Sequence, residues 1–278
     1  MTEIRFWYHL PTKVSPTHTL ECAEKAEEVG FDVVSMMDHL IYLPEDRGRG
    51  SIPECWTTLS AVAARTNLTV SPLVMCSLFR NPALVAKMFA TLDQLTRGRV
   101  YLGIGACWWE EEFRQYGYEW MSAKGRVDRT IEAVKIIKAL WTQDEVDYRG
   151  EFWQLESCHL EPRPYTKPHP PIFNGGAGPR MLRLTGELCD GWIHAIKDPS
   201  QFCQKRDEIL RYAKGRAITF VNYLAIEAGK FSYEDAAKQI EGLIPEGVTD
   251  FDIILDPDSE NIDMLDRCRD LIASFKSA

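Results

Sequence analysis

Several common signals are missing from this 278-residue chain, and each absence removes a class of function. No apolar run approaches the roughly 20 residues a bilayer-spanning helix needs, so no membrane partner is expected. Positive charge is not in excess: 32 Lys and Arg stand against 41 Asp and Glu, for a net charge of −9. That balance sets nucleic acid aside as a partner, because phosphate backbones are held by Lys and Arg. The eight cysteines, at positions 22, 55, 76, 107, 158, 189, 203 and 268, contain no Cys-x-x-Cys pair. Their spacing therefore encodes neither a zinc site nor a thioredoxin-like motif. His159 and His169 have no third ligand at suitable spacing, so no metal is expected. No secretory pattern opens the chain, and the thiols are expected to be reduced in a cytoplasmic enzyme. Repeats, low-complexity tracts and linkers are also missing, which suggests one domain over residues 1–278. A chain of this length can bury a large core without metal or disulfide staples.

Apolar runs alternate with amphipathic ones from end to end. Strands are expected at Ile4–Tyr8, Phe31–Met37, Leu68–Cys76, Val100–Gly105, Pro171–Asn174, Gly191–Ala195, Ile218–Ala225 and Asp250–Leu255. Helices are expected at Thr17–Val29, Pro53–Thr66, Pro82–Leu95, Arg126–Trp141 and from about Asn261 onward, read from apolar residues recurring on one face. Gly30 suits a helix stop and Pro82 a first turn. The Pro-, His- and aromatic-rich text around residues 142–170 breaks the alternation, with a hairpin expected at Asp147–Trp153. Eight strands alternating with helices favour a parallel sheet, and the length suits an α/β (β/α)8 TIM barrel carrying that insertion. An open doubly wound sheet is the runner-up. It is weakened because no Gly-x-Gly-x-x-Gly follows the first strand.

A barrel places its site at the C-terminal ends of its strands. Trp7, Tyr8, His9, Asp38, His39, Cys76, Ser77, Gly105 to Trp108, Asn174 to Gly178 and His194 then converge. Aromatics outnumber charges there, which suits a flat heteroaromatic ligand. His39 can exchange protons near neutral pH, and Asp38 is the carboxylate nearest in sequence to orient it. Adjacent strand residues nevertheless point to opposite faces. The run Asn174-Gly175-Gly176-Ala177-Gly178, followed by a helix at about Pro179, can aim backbone N–H groups and a helix N-terminus at a phosphate; the alternative is a plain glycine-rich turn. For Cys76-Ser77 a packing role competes with a reactive thiol, since nothing nearby in sequence would activate one. Glu110-Glu111-Glu112 reads as catalytic acid or as a solvated first helical turn.

Taken together, Glu27-x-x-Gly30-Phe31-Asp32, Asp38-His39, Pro53-Glu54-x-Trp56-Thr57, Ala63-Ala64-Arg65-Thr66, Arg80-Asn81-Pro82-Ala83, Thr91-Leu92-Asp93, Gly98-Arg99, Gly103-Ile104-Gly105-Ala106-x-Trp108 and Asp190-Gly191-Trp192 resemble the luciferase-like monooxygenase superfamily. Within it the chain is most similar to the branch of coenzyme F420-dependent oxidoreductases. The resemblance implies a (β/α)8 barrel that moves a hydride between deazaflavin C5 and an organic substrate, and a homodimer. It implies catalytic roles for His39 and Asp38. Coenzyme contacts would come from Cys76, Ser77, Gly105, Ala106 and Trp108, and from the phosphate loop Asn174, Gly175, Gly176, Ala177 and Gly178. It also implies a non-prolyl cis peptide at or next to Cys76-Ser77. The chain departs from the family pattern twice. Cys107 stands in the usual Gly-Ala-Gly-Trp run, where its side chain could crowd the loop. Ala106 stands where members that oxidise a sugar phosphate carry glutamate, which argues against that substrate. The alternatives are an FMN-dependent monooxygenase using dioxygen with a partner flavin reductase, and a vestigial flavin-binding barrel.

Overall fold

The computed structural model describes residues 3–41, 52–196, 198–225, 233–255 and 262–276. The start of the expected last helix, at Asn261, falls outside them. Eight parallel staves form the barrel. In chain order the strands are β1 (Arg5–His9), β2 (Val33–Met36), β3 (Thr69–Pro72), β4 (Met75–Cys76), β5 (Leu102–Gly105), β8 (Ile172–Asn174), β9 (Gly191–His194), β10 (Thr219–Ala225) and β11 (Val248–Ile254); β6 (Val146–Arg149) and β7 (Gln154–Cys158) form the separate hairpin of the insertion. The ladder runs β3-β2-β1-β11-β10-β9-β8-β5-β4. It closes where Val70 N donates to Arg99 O and Tyr101 N donates to Val70 O.

β3 and β4 are the two halves of the expected third strand. The chain breaks between them at a cis peptide, Leu73–Val74. This corrects the expectation of a cis bond at Cys76-Ser77: the bulge falls inside the stave, so that Cys76 lies beyond it and pairs normally with Gly105.

Helices follow most staves: α1 (Pro16–Val29), α2 (Cys55–Arg65), α3 (Pro82–Thr96), α4 (Glu110–Gln115), α5 (Ala123–Thr142), α6 (Pro179–Leu188), α7 (Pro199–Ala213), α8 (Tyr233–Leu243) and α9 (Asp266–Lys276). Their limits have local causes. Ser15 caps α1 by accepting from His18 N, with Pro16 in the first turn, and Gly30 ends it at φ 106°, a left-handed conformation glycine tolerates. Asn81 accepts from Ala83 N and Leu84 N at the start of α3.

Two apolar layers result. The larger lies between staves and helices, with Phe6, Leu59, Phe89, Leu102 and Ile137 fully buried. The smaller plugs the barrel itself with Trp7, Val33, Phe173, Ile193 and Val221, against which Leu73, Val74 and Tyr101 pack. Several motif acids serve this scaffold. Asp32 accepts from Phe6 N, Asp93 from Thr166, and Asp190 from Ile172 N, while Arg99 donates to four backbone carbonyls.

Candidate active site

At the C-terminal mouth a cavity of about 370 Å³ opens between the ends of β2, β4, β5 and β8. Asp38 and His39 supply one wall, Leu73 to Cys76 the floor, and Gly105 to Trp108 with Glu112 the second wall; Gly175 and Gly176 close the third side. A larger hollow of about 780 Å³ lies aside, between the ends of β9 and β10 and α8.

The floor is built around Val74. A Cβ on Gly105 would come within 2.6 Å of Val74 Cγ2, and one on Gly175 within 3.0 Å of both Val74 methyls. Glycine at these positions is what lets the Leu73–Val74 bulge seat between two strands. Neither glycine has positive φ, so what is needed there is the missing side chain and not backbone freedom.

His39 is oriented by Glu112 and not by its neighbour Asp38. Its Nδ1 lies 3.1 and 3.2 Å from the two Glu112 carboxylate oxygens, and Leu40 N donates to the same carboxylate at 3.1 Å. Glu112 is buried and His39 partly open to the cavity. An Nδ1–H donated to that carboxylate fixes the tautomer with Nε2 as the free acceptor. The rings of Trp108 and Trp109 meet His39 edge-on at 5.7 and 5.8 Å, and the two indoles stack on each other. Asp38 instead accepts from Cys76 N at 2.9 Å and from both Arg80 terminal nitrogens. Burial alone would depress the Arg80 guanidinium, but Asp38 and Glu54 outweigh it and hold its pKa above the ordinary range. The expectation that Asp38 orients His39 is corrected accordingly: both line the cavity beyond the end of β2, but Asp38 is held by Cys76 N and Arg80 while His39 turns to Glu112.

The expectation of reduced thiols is corrected at one pair, while the other six described cysteines are free. Cys76 and Cys107 are joined in a disulfide, with Cα atoms 5.4 Å apart. Cys107 therefore does not crowd its loop; its sulfur is bonded back to the strand. Register explains the pairing, because Cys76 sits opposite Gly105 and Cys107 follows two residues later.

Ser77 turns its hydroxyl to Thr130 of α5 at 2.7 Å, outside the cavity wall. Asn174 is fully buried; its Oδ1 accepts from Gly176 N and its Nδ2 donates to Thr185 Oγ1. The glycine run is thus a looser cradle than its composition suggests. Gly175 N donates to Ile104 O, and Gly176 N is taken by Asn174. Among the described residues, no hydrogen bond engages the N–H groups of Ala177, Gly178 or Arg180, which remain for an anion at the start of α6. Sequence reading did not single out Glu112 within its acidic run as the partner of His39, and it placed the cis bond at Cys76-Ser77 instead of Leu73–Val74. The only signal for Glu112 was its place in an acidic run, and the signal for the bulge was the resemblance, with no local residue to fix its bond.

A closed parallel (β/α)8 barrel with a cavity at its C-terminal mouth defines a class of barrel proteins built around a mouth-bound ligand. The luciferase-like monooxygenase family model matches residues 1–227, and the chain belongs to that family. It is 36% identical over 180 residues to an F420-dependent glucose-6-phosphate dehydrogenase of Amycolatopsis mediterranei, covering 64% of this chain and 53% of the relative. It is 39% identical over 113 residues to an FMNH(2)-dependent dimethylsulfone monooxygenase of Pseudomonas putida, covering 41% of this chain and 31% of that one. The chain spans 53 to 60% of the length of the first curated relatives it matches. In fold it resembles an F420-dependent secondary alcohol dehydrogenase solved with an F420–acetone adduct, with TM-score 0.86 and 23% identity over 98% of this chain and 99% of that one.

Proposed function

We propose that this protein is a coenzyme F420-dependent oxidoreductase that moves a hydride between the deazaflavin and an organic substrate. The observation that carries the reading is the juxtaposition, in one cavity, of a glycine-seated backbone bulge and a carboxylate-oriented histidine. A floor formed by Leu73, Val74 and the side-chain-free edges of Gly105 and Gly175 fits a flat ring that must approach the backbone closely. The free N–H groups of Ala177, Gly178 and Arg180 fit the coenzyme's phosphate. Relatives named as F420-dependent enzymes support the same branch.

When bound, the deazaflavin supplies the hydride chemistry at its C5. The chain's own groups bind, orient and handle protons. Glu112 holds the His39 ring in one tautomer, and His39 Nε2 takes or returns the proton of the substrate's reacting oxygen. Asp38 does not reach that proton; it fixes the end of β4 through Cys76 N and Arg80. Trp108 and Trp109 flank the histidine ring edge-on. Ala106 lines the cavity, and by the resemblance it stands where sugar-phosphate-oxidising members carry glutamate, so the reading argues against a sugar phosphate and leaves the substrate's class open. One barrel domain over residues 1–278, assembled as a homodimer, belongs to the same proposal.

Parallel fluorescence titrations with coenzyme F420 and FMN test it. Micromolar or tighter binding of the deazaflavin alone supports the reading. Tighter binding of FMN favours the monooxygenase alternative, to which the Pseudomonas relative points. Binding of neither overturns both.

A further inference from the structure

We propose that the Cys76–Cys107 pair is a reversible thiol-modification site that sets the order of the coenzyme pocket wall, and through it coenzyme affinity. The affinity consequence rests on the coenzyme reading above; the ordering of the wall does not.

Three observations converge. First, both cysteines line the cavity that holds His39, and the other six described cysteines are free thiols elsewhere. Second, Cys107 has φ 58°, a left-handed backbone that non-glycine residues rarely adopt. The chain thus carries a residue locally ill-suited to the turn and ties it down with a covalent bond. Third, the tie lies at the root of the catalytic wall. Cys76 ends β4, whose partner β5 leads through Gly105 and Ala106 into Cys107, Trp108, Trp109 and the short helix carrying Glu112. The disulfide thus fastens the first residue of the segment that positions both indoles and the carboxylate around His39.

Access is one-sided. Cys76 is buried, and Cys107 is half-buried at the cavity wall. A small thiolate entering the cavity attacks Cys107 Sγ; the S–S bond breaks, and its electron pair leaves on Cys76 Sγ, which takes a proton. A second small thiol then resolves the mixed disulfide. It forms a low-molecular-weight disulfide and releases the Cys107 thiol, so that two thiols are oxidised and one protein disulfide is reduced. The reverse sequence, with a low-molecular-weight disulfide as oxidant, closes the pair again. With the bond open, Cys107 is free to leave the left-handed region, whose population then falls about tenfold against extended or right-handed alternatives. Trp108 and Glu112 lose their fixed attachment with it.

The full-length protein is equilibrated with glutathione disulfide or with a phosphine reductant and assayed three ways. Thiol titration in denaturant should give six thiols in the oxidised form, eight cysteines less the paired two, and eight in the reduced form. Tryptophan emission of the ligand-free protein should change on reduction, because Trp108 and Trp109 lie next to the pair. Coenzyme F420 should bind about tenfold more weakly to the reduced form. Cys107→Gly, which accepts the left-handed turn without a cross-link, should bind like the oxidised protein whatever the redox state; Cys107→Ser should behave like the reduced protein. Eight thiols after oxidation would overturn the proposal, and so would identical emission and affinity in both states, or a Cys107→Ser variant as tight as the oxidised protein. If the coenzyme binds neither form, the functional reading fails. In that case the thiol count, together with the emission change and its absence in Cys107→Gly, still decides the fate of the latch.

Discussion

Replacing Gly105 by Ala probes the cavity floor directly. The new Cβ would meet Val74 Cγ2 at 2.6 Å and Val74 Cβ at 3.8 Å. Real Cβ contacts are not that short, so Val74 must shift, and the room available to it lies toward the cavity. Overpacking of this kind costs about 1–3 kcal/mol. Because Gly105 has no left-handed φ, none of that cost is backbone strain. Removing the offending methyl group should therefore remove most of it: in a Val74→Ala background the closest remaining contact is the Cβ at 3.8 Å, ordinary van der Waals distance. A double-mutant cycle of thermal or urea unfolding on the ligand-free protein should give a coupling of about 1–2 kcal/mol between positions 74 and 105. That corresponds to a melting shift of roughly 2–4 °C per kcal/mol for a chain in this size range. Coenzyme affinity should fall in Gly105→Ala and recover partly in the double variant. Equal costs of Gly105→Ala in both backgrounds would refute the wedge of Val74 between glycines.

Other expectations follow from the same geometry. Glu112→Gln removes the charge from a buried hydrogen bond to His39, the kind worth about 1.5–3 kcal/mol, so turnover of any substrate found by a hydride-transfer screen should fall about 10- to 100-fold while coenzyme affinity holds; equal losses in both would count against a proton-handling role. His39→Ala should lower turnover far more than affinity. Burial, aided by Lys205, lowers the pKa of His194 below its ordinary 6.5. The unfolded chain then binds the proton first, so this residue's contribution to stability declines as pH drops from about 6.5 toward its depressed value. His194→Phe, which retains a ring to stack on Trp192, should flatten that part of a melting-versus-pH curve. Reduction of Cys76–Cys107 opens a loop closed across a separation of 31 residues, and should lower unfolding free energy by about 3.5 kcal/mol in urea.

The sequence by itself determined the alternation of staves and helices, because period, caps and stops are local. Pro16, Pro82 and Pro179 start helices, Gly30 ends one, and the apolar runs mark each buried strand. It also determined which strand ends could meet at the mouth, and so placed His39, Gly105 and Gly175 in one short set. Partnership at that mouth was decided only by the tertiary structure. His39 and Glu112 are 73 residues apart and Cys76 and Cys107 are 31 apart. The cysteines meet because β4 lies beside β5 in a fixed register; His39 meets Glu112 because the helix that follows β5 reaches the end of β2 at the same mouth. Even neighbours in sequence were sorted this way. Asp38 goes to Arg80 and His39 to Glu112, since the elements packed around the end of β2 supply each with a different partner.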